Sequence, residues 1–281
     1  MAALKNKIDF VALISVTNAN GNGDPLNSNR PRTDYNGMGE ISDVCIKRKL
    51  RNRMQDMGNA IFVQSEDRCD DGFKSLSDRA TAATKGIKEK ETYAQTACEK
   101  WMDVRSFGQV FAFKSNDKSG VSVGVRGPVS IHQAVSISPV EIEEMQITKS
   151  VNGETGEKRS SDTMGTKYFV RFGFYEIKGA INVQLAEKTG FSQEDAAVVK
   201  ESLRTLFAND ASAARPEGSM EVVKLFWWEH NCKEGQYSSA KVHRSVHVTP
   251  KNPEGIPTCV DDYEITLDEL PGLVPEIIDG V

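Results

Sequence analysis

The spacing of hydrophobic and polar positions changes along the chain, and each change marks an element. Ile8–Val16 alternates and is rich in β-formers, which predicts a first strand. Thr17–Gly39 breaks that pattern with Asn, Gly, Asp and Pro, residues that favour turns and positive φ, and it reads as a 23-residue loop. A loop of that length is usually functional rather than a mere connector. A helix is predicted over 42–57, with Ser42 as its N-cap and Asp43 in its first turn, where a carboxylate suits the dipole. Its apolar residues form two narrow stripes, Ile41/Val44/Cys45 and Ile46/Leu50/Met54. Lys47, Arg48, Lys49, Arg51 and Arg53 occupy much of the remaining circumference.

Residues 62–105 are polar, helical in pattern and without strand signals, which predicts a helical insertion. Strand patterns follow at 107–114 and 120–137, then at 145–151 and 164–177 around the turn-rich Asn152–Asp162, so that 141–168 reads as a long projecting hairpin. Residues 180–186 read as another strand. A second helix is predicted over 192–207, capped by Ser192, with Glu194 and Asp195 in its first turn and Ala196/Val199/Leu203/Leu206 as its apolar face. Strands at 220–229 and 239–248 precede an acidic, Pro-containing tail at 251–281. This order predicts an α+β fold, the β-α-β-β-α-β skeleton of ferredoxin-like or RRM-like domains enlarged by insertions.

The 281 residues are 38% hydrophobic and 27% charged, the profile of a globular chain. No apolar run reaches the roughly 18–20 residues that span a bilayer. The lysines ahead of the first apolar stretch superficially suggest a signal peptide, but Asp9 interrupts the stretch, it alternates, and no small-residue cleavage site follows. A cytoplasmic protein is the expectation. The five cysteines are scattered without a C-x-x-C pair, which disfavours both a disulfide framework and a zinc site. Net charge is −5, yet residues 251–281 alone hold eight acids against one Lys. The rest of the chain is slightly basic, so an anionic partner is not excluded.

The strongest chemical candidate is the Asn/Gly loop joined to the basic helix. Phosphate oxygens want amide donors and cations in one concavity; Asn18, Asn20 and Asn22 offer the first, and Arg30, Arg32, Lys47, Arg48 and Arg51 the second. The loop fails as a calcium site, because no acid stands at its first position and Asn29 stands at its twelfth. His243 and His247, read as one strand face, would lie too far apart to share a metal, and His132 and His230 lack paired carboxylates. No zincin, hydrolase-elbow, Walker or Rossmann signature is present. No catalytic residue, metal or cofactor is therefore assigned.

At TNANGNGDPLNSNRPRTD followed by ISDVCIKRKLR, the sequence resembles the large backbone subunit of the type I-C (Dvulg) CRISPR Cascade surveillance complex, a member of the RAMP superfamily. DVRSFG (103–108), GVRGPVS (124–130), SDTMGTK (161–167) and NDASAAR (209–215) agree in order along nearly the whole chain. The resemblance implies an RRM-like palm (1–61 and 106–250), helical fingers (62–105) and a β-hairpin thumb (141–168). It also implies a non-catalytic scaffold whose copies polymerise along one CRISPR RNA, beside other Cascade subunits and a recruited helicase-nuclease, and leave the guide's bases to pair with a target DNA strand. Under this resemblance Asn18, Asn20, Asn22, Arg30, Arg32, Ser42, Lys47, Arg48 and Arg51 line the RNA groove. The thumb needs an apolar wedge to part stacked bases, here Met164, with Lys167 on phosphate. The competing expectation is an endoribonuclease of the same superfamily that processes the guide, which needs a base such as His beside the groove.

Overall fold

The computed structural model describes residues 2–112, 122–149 and 164–281. In chain order its elements are β1 (Ile8–Ala19), β2 (Gly23–Asp24), β3 (Arg30–Pro31), β4 (Met38–Ile41), α1 (Asp43–Asp56), α2 (Leu76–Ala83), α3 (Lys90–Lys100) and α4 (Met102–Phe107). There follow β5 (Gly108–Phe111), β6 (Val123–Arg126), β7 (Val129–Ile131), β8 (Ala134–Pro139), β9 (Ile142–Thr148) and β10 (Met164–Ile181). The remainder is α5 (Val183–Thr189), α6 (Gln193–Arg204), β11 (Met220–Glu229), α7 (Ser239–His243), β12 (Val246–Pro250), β13 (Tyr263–Leu267) and β14 (Glu276–Asp279). The protein is thus mixed α+β, built on an antiparallel sheet ordered β14-β11-β1-β10-β8-β4, with β7 and β9 also on β10.

The two predicted helices form where their caps stand. Ser42 accepts from the Cys45 amide to start α1, and Ser192 and Asp195 make a reciprocal capping box that starts α6. Ile46, Leu50 and Met54 of α1 and Ala196, Val199 and Leu203 of α6 meet alternate β1 residues Ile8, Phe10, Ala12, Ile14 and Val16 in the main core. The intervening Val11 and Leu13 point to the opposite face. There, with Phe172, Phe174, Phe226 and Trp228, they are covered by Val242, Val246, Tyr263, Leu270 and Leu273. Both faces of the sheet are therefore covered, which is why nine consecutive residues of β1 are buried. A third core joins Phe62, Ala80, Ala97, Cys98, Trp101 and Val104 to Phe111 and Val123, so β5 and β6 pack with the helices of 62–105.

Several expectations need correction. Thr17–Gly39 is not wholly irregular: β1 continues to Ala19, and the two-residue β2 and β3 and then β4 interrupt the loop, held by side chain-to-backbone bonds rather than by an apolar pattern. The stretch 180–186 is the end of β10 followed by α5, whose first turn is capped when the Asn182 side chain accepts from the Leu185 amide at 2.8 Å. In 239–248, Ser238 caps the short α7 before β12 begins, so His243 is a buried helical residue and His247 an exposed strand residue. The strand expected at 107–114 begins only at Gly108, because Met102–Phe107 is helical; 120–137 holds three short strands. The acidic 251–281 is no loose tail: β13 pairs β12, and β14 extends the main sheet beside β11. The hairpin tip, Asn152–Asp162, lies outside the described residues.

Candidate nucleic-acid interface

The Asn-rich segment and α1 come together as expected, but their side chains divide into two groups. Asn22 Oδ1 receives both the Ser42 amide (2.9 Å) and the Ser42 hydroxyl (2.8 Å), so two candidate residues position the start of α1. Asn20 is buried, and its Nδ2 donates to the Asn29 carbonyl at 2.6 Å, pinning the β2–β3 turn. In that turn Ser28 and Asn29 take positive φ (50° and 59°), a conformation non-glycine residues rarely hold without such support. Asn18, with φ 50°, ends the regular part of β1 and is exposed.

The cations of α1 divide in the same way. Arg48 Nη1 donates to the Val63 carbonyl at 2.7 Å, and burial, then the neighbouring Arg51, lowers its pKa. Arg51 Nε pairs with Asp103 at 2.8 Å, and its guanidinium lies 5.2 Å from the centre of the Phe107 ring. Lys49, unassigned from the sequence, is buried against Asp210, which also pairs with Arg215 at 3.0 Å; burial lowers the Lys49 pKa. These groups tie α1 to the 62–107 region and to the 209–215 loop.

Other candidates are half-buried and less firmly held. Among the described residues Lys47 pairs only with Asp43, one turn back on the same helix, and Arg32 pairs with Asp24 at 3.4 Å across the small β2–β3 ladder. Such partly exposed pairs hold their cations by about 1 kcal/mol. Arg30 and Lys167 have no carboxylate partner among the described residues. Arg30 instead lies 5.2 Å from the centre of the Tyr168 ring, which places β3 against the β9–β10 hairpin. In that hairpin Met164 pairs with Thr148 and Lys167 with Met145; alternation puts Met164, Thr166 and Tyr168 on one side and Lys167, Met145 and Ile147 on the other. Met164 is 63% exposed, and Met145 and Ile147 are about half exposed.

The strings at 103–108, 124–130 and 209–215 lie at joints between distant segments. Asp103 of DVRSFG takes the Phe62 and Val63 amides (2.7 and 3.1 Å) as well as Arg51, and Arg105 grips Asp195 of α6 with two nitrogens (2.9 and 2.7 Å). Gly108 and Gly127 meet backbone to backbone, and a Cβ on either would collide with the other segment. Within 209–215, the Ala214 carbonyl accepts the Asn20 amide at 2.9 Å, which buttresses the Asn loop. Only partners 19 to 194 residues away reveal these roles, so local pattern alone missed them.

No group of three or more His, Cys, Asp or Glu among the described residues is placed to hold a metal. His230 accepts the Gln236 amide at Nδ1 (2.9 Å) and faces Asp9 through Nε2 (2.8 Å); it is fully buried. His243 is also buried, with Nε2 on the Gly179 carbonyl at 2.9 Å, and burial lowers its pKa. No helix among the described residues is long and apolar enough to cross a membrane.

Comparison with known proteins bears on this geometry. A "CRISPR-associated protein Cas7" of Haloferax volcanii is 27% identical over 207 residues, which cover 68% of this chain and 61% of that protein. The chain therefore spans less than two thirds of that relative. A solved chain from a CRISPR RNA-guided surveillance complex in a pre-nicking state superposes with a TM-score of 0.52 at 16% identity, over 84% of this chain and 81% of the other, and shares the fold. The family model for CRISPR-associated protein Cas7 matches residues 6–268, and with that match over nearly its whole length the chain belongs to the Cas7 family.

Proposed function

We propose that this chain is a non-catalytic backbone subunit that binds CRISPR RNA along its sugar-phosphate chain and assembles with further copies and other subunits of a Cascade-like surveillance complex in the cytoplasm. The observation that carries the reading is Arg30: a cation without a carboxylate partner among the described residues, held over Tyr168 between the Asn-rich loop and the β9–β10 hairpin. With Lys167 on the hairpin and the weakly held Arg32 and Lys47, it offers charge that every nucleotide satisfies equally, which suits sequence-blind binding. Meanwhile the acid-rich 251–281 segment covers the sheet face bearing Phe174 and Trp228. That cover argues against the base stacking on a bare sheet that RRMs use.

In this reading the sheet with α1 and α6 is the RRM-like palm, the third core is the fingers, and the β9–β10 hairpin is the thumb, with Met164 as its wedge. The strand sequence β11-β1-β10-β8, with α1 and α6 on one face, supports the palm. Asn18, Arg30, Arg32, Lys47, Met164 and Lys167 are assigned to RNA, whereas Asn20, Asn22, Ser42, Arg48 and Arg51 shape the groove from behind. The type I-C subtype, pairing of the guide with target DNA and recruitment of a helicase-nuclease belong to the same proposal and rest on the sequence resemblance.

The test is binding of single-stranded RNA by anisotropy across a salt series, with the RNA recovered afterwards. Affinity that falls with salt, ignores base composition and leaves the RNA intact is expected. Absence of salt-sensitive binding defeats the proposal, and cleavage abolished by His132→Ala or His243→Ala would establish the endoribonuclease instead.

A further inference from the structure

Tyr35 has 109% relative exposure, above that of an extended reference chain, and its side chain makes no hydrogen bond or ring contact with any described residue. The turn beneath it is nonetheless fixed. Asp34 Oδ1 accepts the Asn36 and Met38 amides (2.8 and 2.9 Å), the Gly37 amide returns to the Asp34 carbonyl (3.2 Å), and Thr33 bridges Gly39. The Gly37 carbonyl accepts the Val140 amide at 2.9 Å, which anchors the turn where β8 gives way to β9. Gly37 holds a φ of 78°, a left-handed conformation that this tight return favours. A large ring on a rigid turn has lost its backbone freedom already and still buries nothing, so folding alone does not account for it.

We propose that Tyr35 is a stacking platform for one nucleobase of the bound strand. This deepens the RNA-binding reading above and rests on it. Three observations favour a base over a protein surface. Thr33, Asp34, Asn36 and Gly37 flank Tyr35 along the turn, and its ring stands fully exposed without the packed apolar rim that shields a protein hot spot from water. A base needs only one exposed ring face. Arg32 begins the same turn, about 10 Å back along the chain by strand rise, so a strand gripped there by its phosphates has bases within reach of the ring. Stacking accepts any base, in keeping with sequence-blind binding.

The experiment compares wild type, Tyr35→Phe and Tyr35→Ala on a short oligouridylate and on a ribose-phosphate oligomer of the same length lacking bases, with thermal unfolding of each protein as a check on folding. Tyr35→Ala is expected to weaken oligouridylate binding by about 5- to 100-fold, to leave the abasic strand unaffected and to unfold like wild type, with Tyr35→Phe close to wild type. An equal loss on both strands, or no loss on either, overturns the platform. Unchanged RNA affinity with weakened self-association also overturns it and assigns Tyr35 to a contact between copies. If wild type binds neither strand, the RNA-binding reading itself has failed, a result distinct from normal binding by Tyr35→Ala.

Discussion

Lys47 and Arg51 stand one turn apart on α1 and carry the same charge, yet their surroundings differ. Arg51 is paired with a carboxylate that is 1% exposed, and with Arg48 and Arg105 it ties the 62–107 region to α1 and α6. Lys47 shares that helix face, but its partner Asp43 is 42% exposed, and Arg30, Arg32 and Lys167 are likewise weakly paired or without a carboxylate among the described residues. A basic run therefore does not define a binding surface. Burial and the distance of the nearest acid decide which cations remain available to a ligand.

The sharpest way to break this division is at the buried joint. Asp103→Ala strands Arg51 and two amides, and removing one partner of a buried pair costs about 3–5 kcal/mol; chemical denaturation should show a loss of that size, with Arg51→Ala close behind. Next, Arg30→Ala, Arg32→Ala, Lys47→Ala and Lys167→Ala combined should leave stability within about 1 kcal/mol of wild type while lowering RNA affinity for all sequences alike. The slope of log affinity against log salt should flatten by up to ~0.7 per phosphate contact removed. A combined variant that unfolds early would erase the distinction between the two groups.

Smaller effects sharpen the comparison further. Tyr168→Leu keeps bulk but removes the ring beneath Arg30 and should weaken RNA binding by about 2- to 5-fold, the scale of an exposed cation–π contact; Tyr168→Phe should retain it. The smallest effect lies away from the interface. His243 faces Asp9, His132 and Lys178, and burial holds its pKa below the ordinary 6.5. The unfolded chain then binds the proton more readily, so stability should fall as pH drops below about 6.5, and His243→Gln should flatten that fall in pH-dependent melting curves.

Elements whose sequence carries both a cap and a period were legible. Ser42 and Ser192 announced α1 and α6, and the face Ala196/Val199/Leu203/Leu206 is buried throughout. Short helices were not: α5 and α7 sit in stretches that also satisfy a strand pattern, and only the Asn182 and Ser238 caps betray them. In 263–267, Tyr263, Ile265 and Leu267 alternate with polar residues as a strand should, but the acids of the region drew the reading toward a solvated tail. The site divided along the same line. The loop and helix that build it were visible from composition, whereas the partners that withdraw Arg48 and Arg51 from it, Val63 and Asp103, are fixed by tertiary contact.

The layer over the second sheet face has a consequence for synthesis. A nascent polypeptide that has passed residue 229 but not residue 273 has made Phe172, Phe174, Phe226 and Trp228 without the complete set of Val242, Val246, Tyr263 and Leu273 that covers them. Until those arrive, a sticky aromatic surface is open to chaperones and to other unfinished chains. Ribosome stalling in that window, or premature termination within it, should yield inclusion bodies rather than a smaller working subunit.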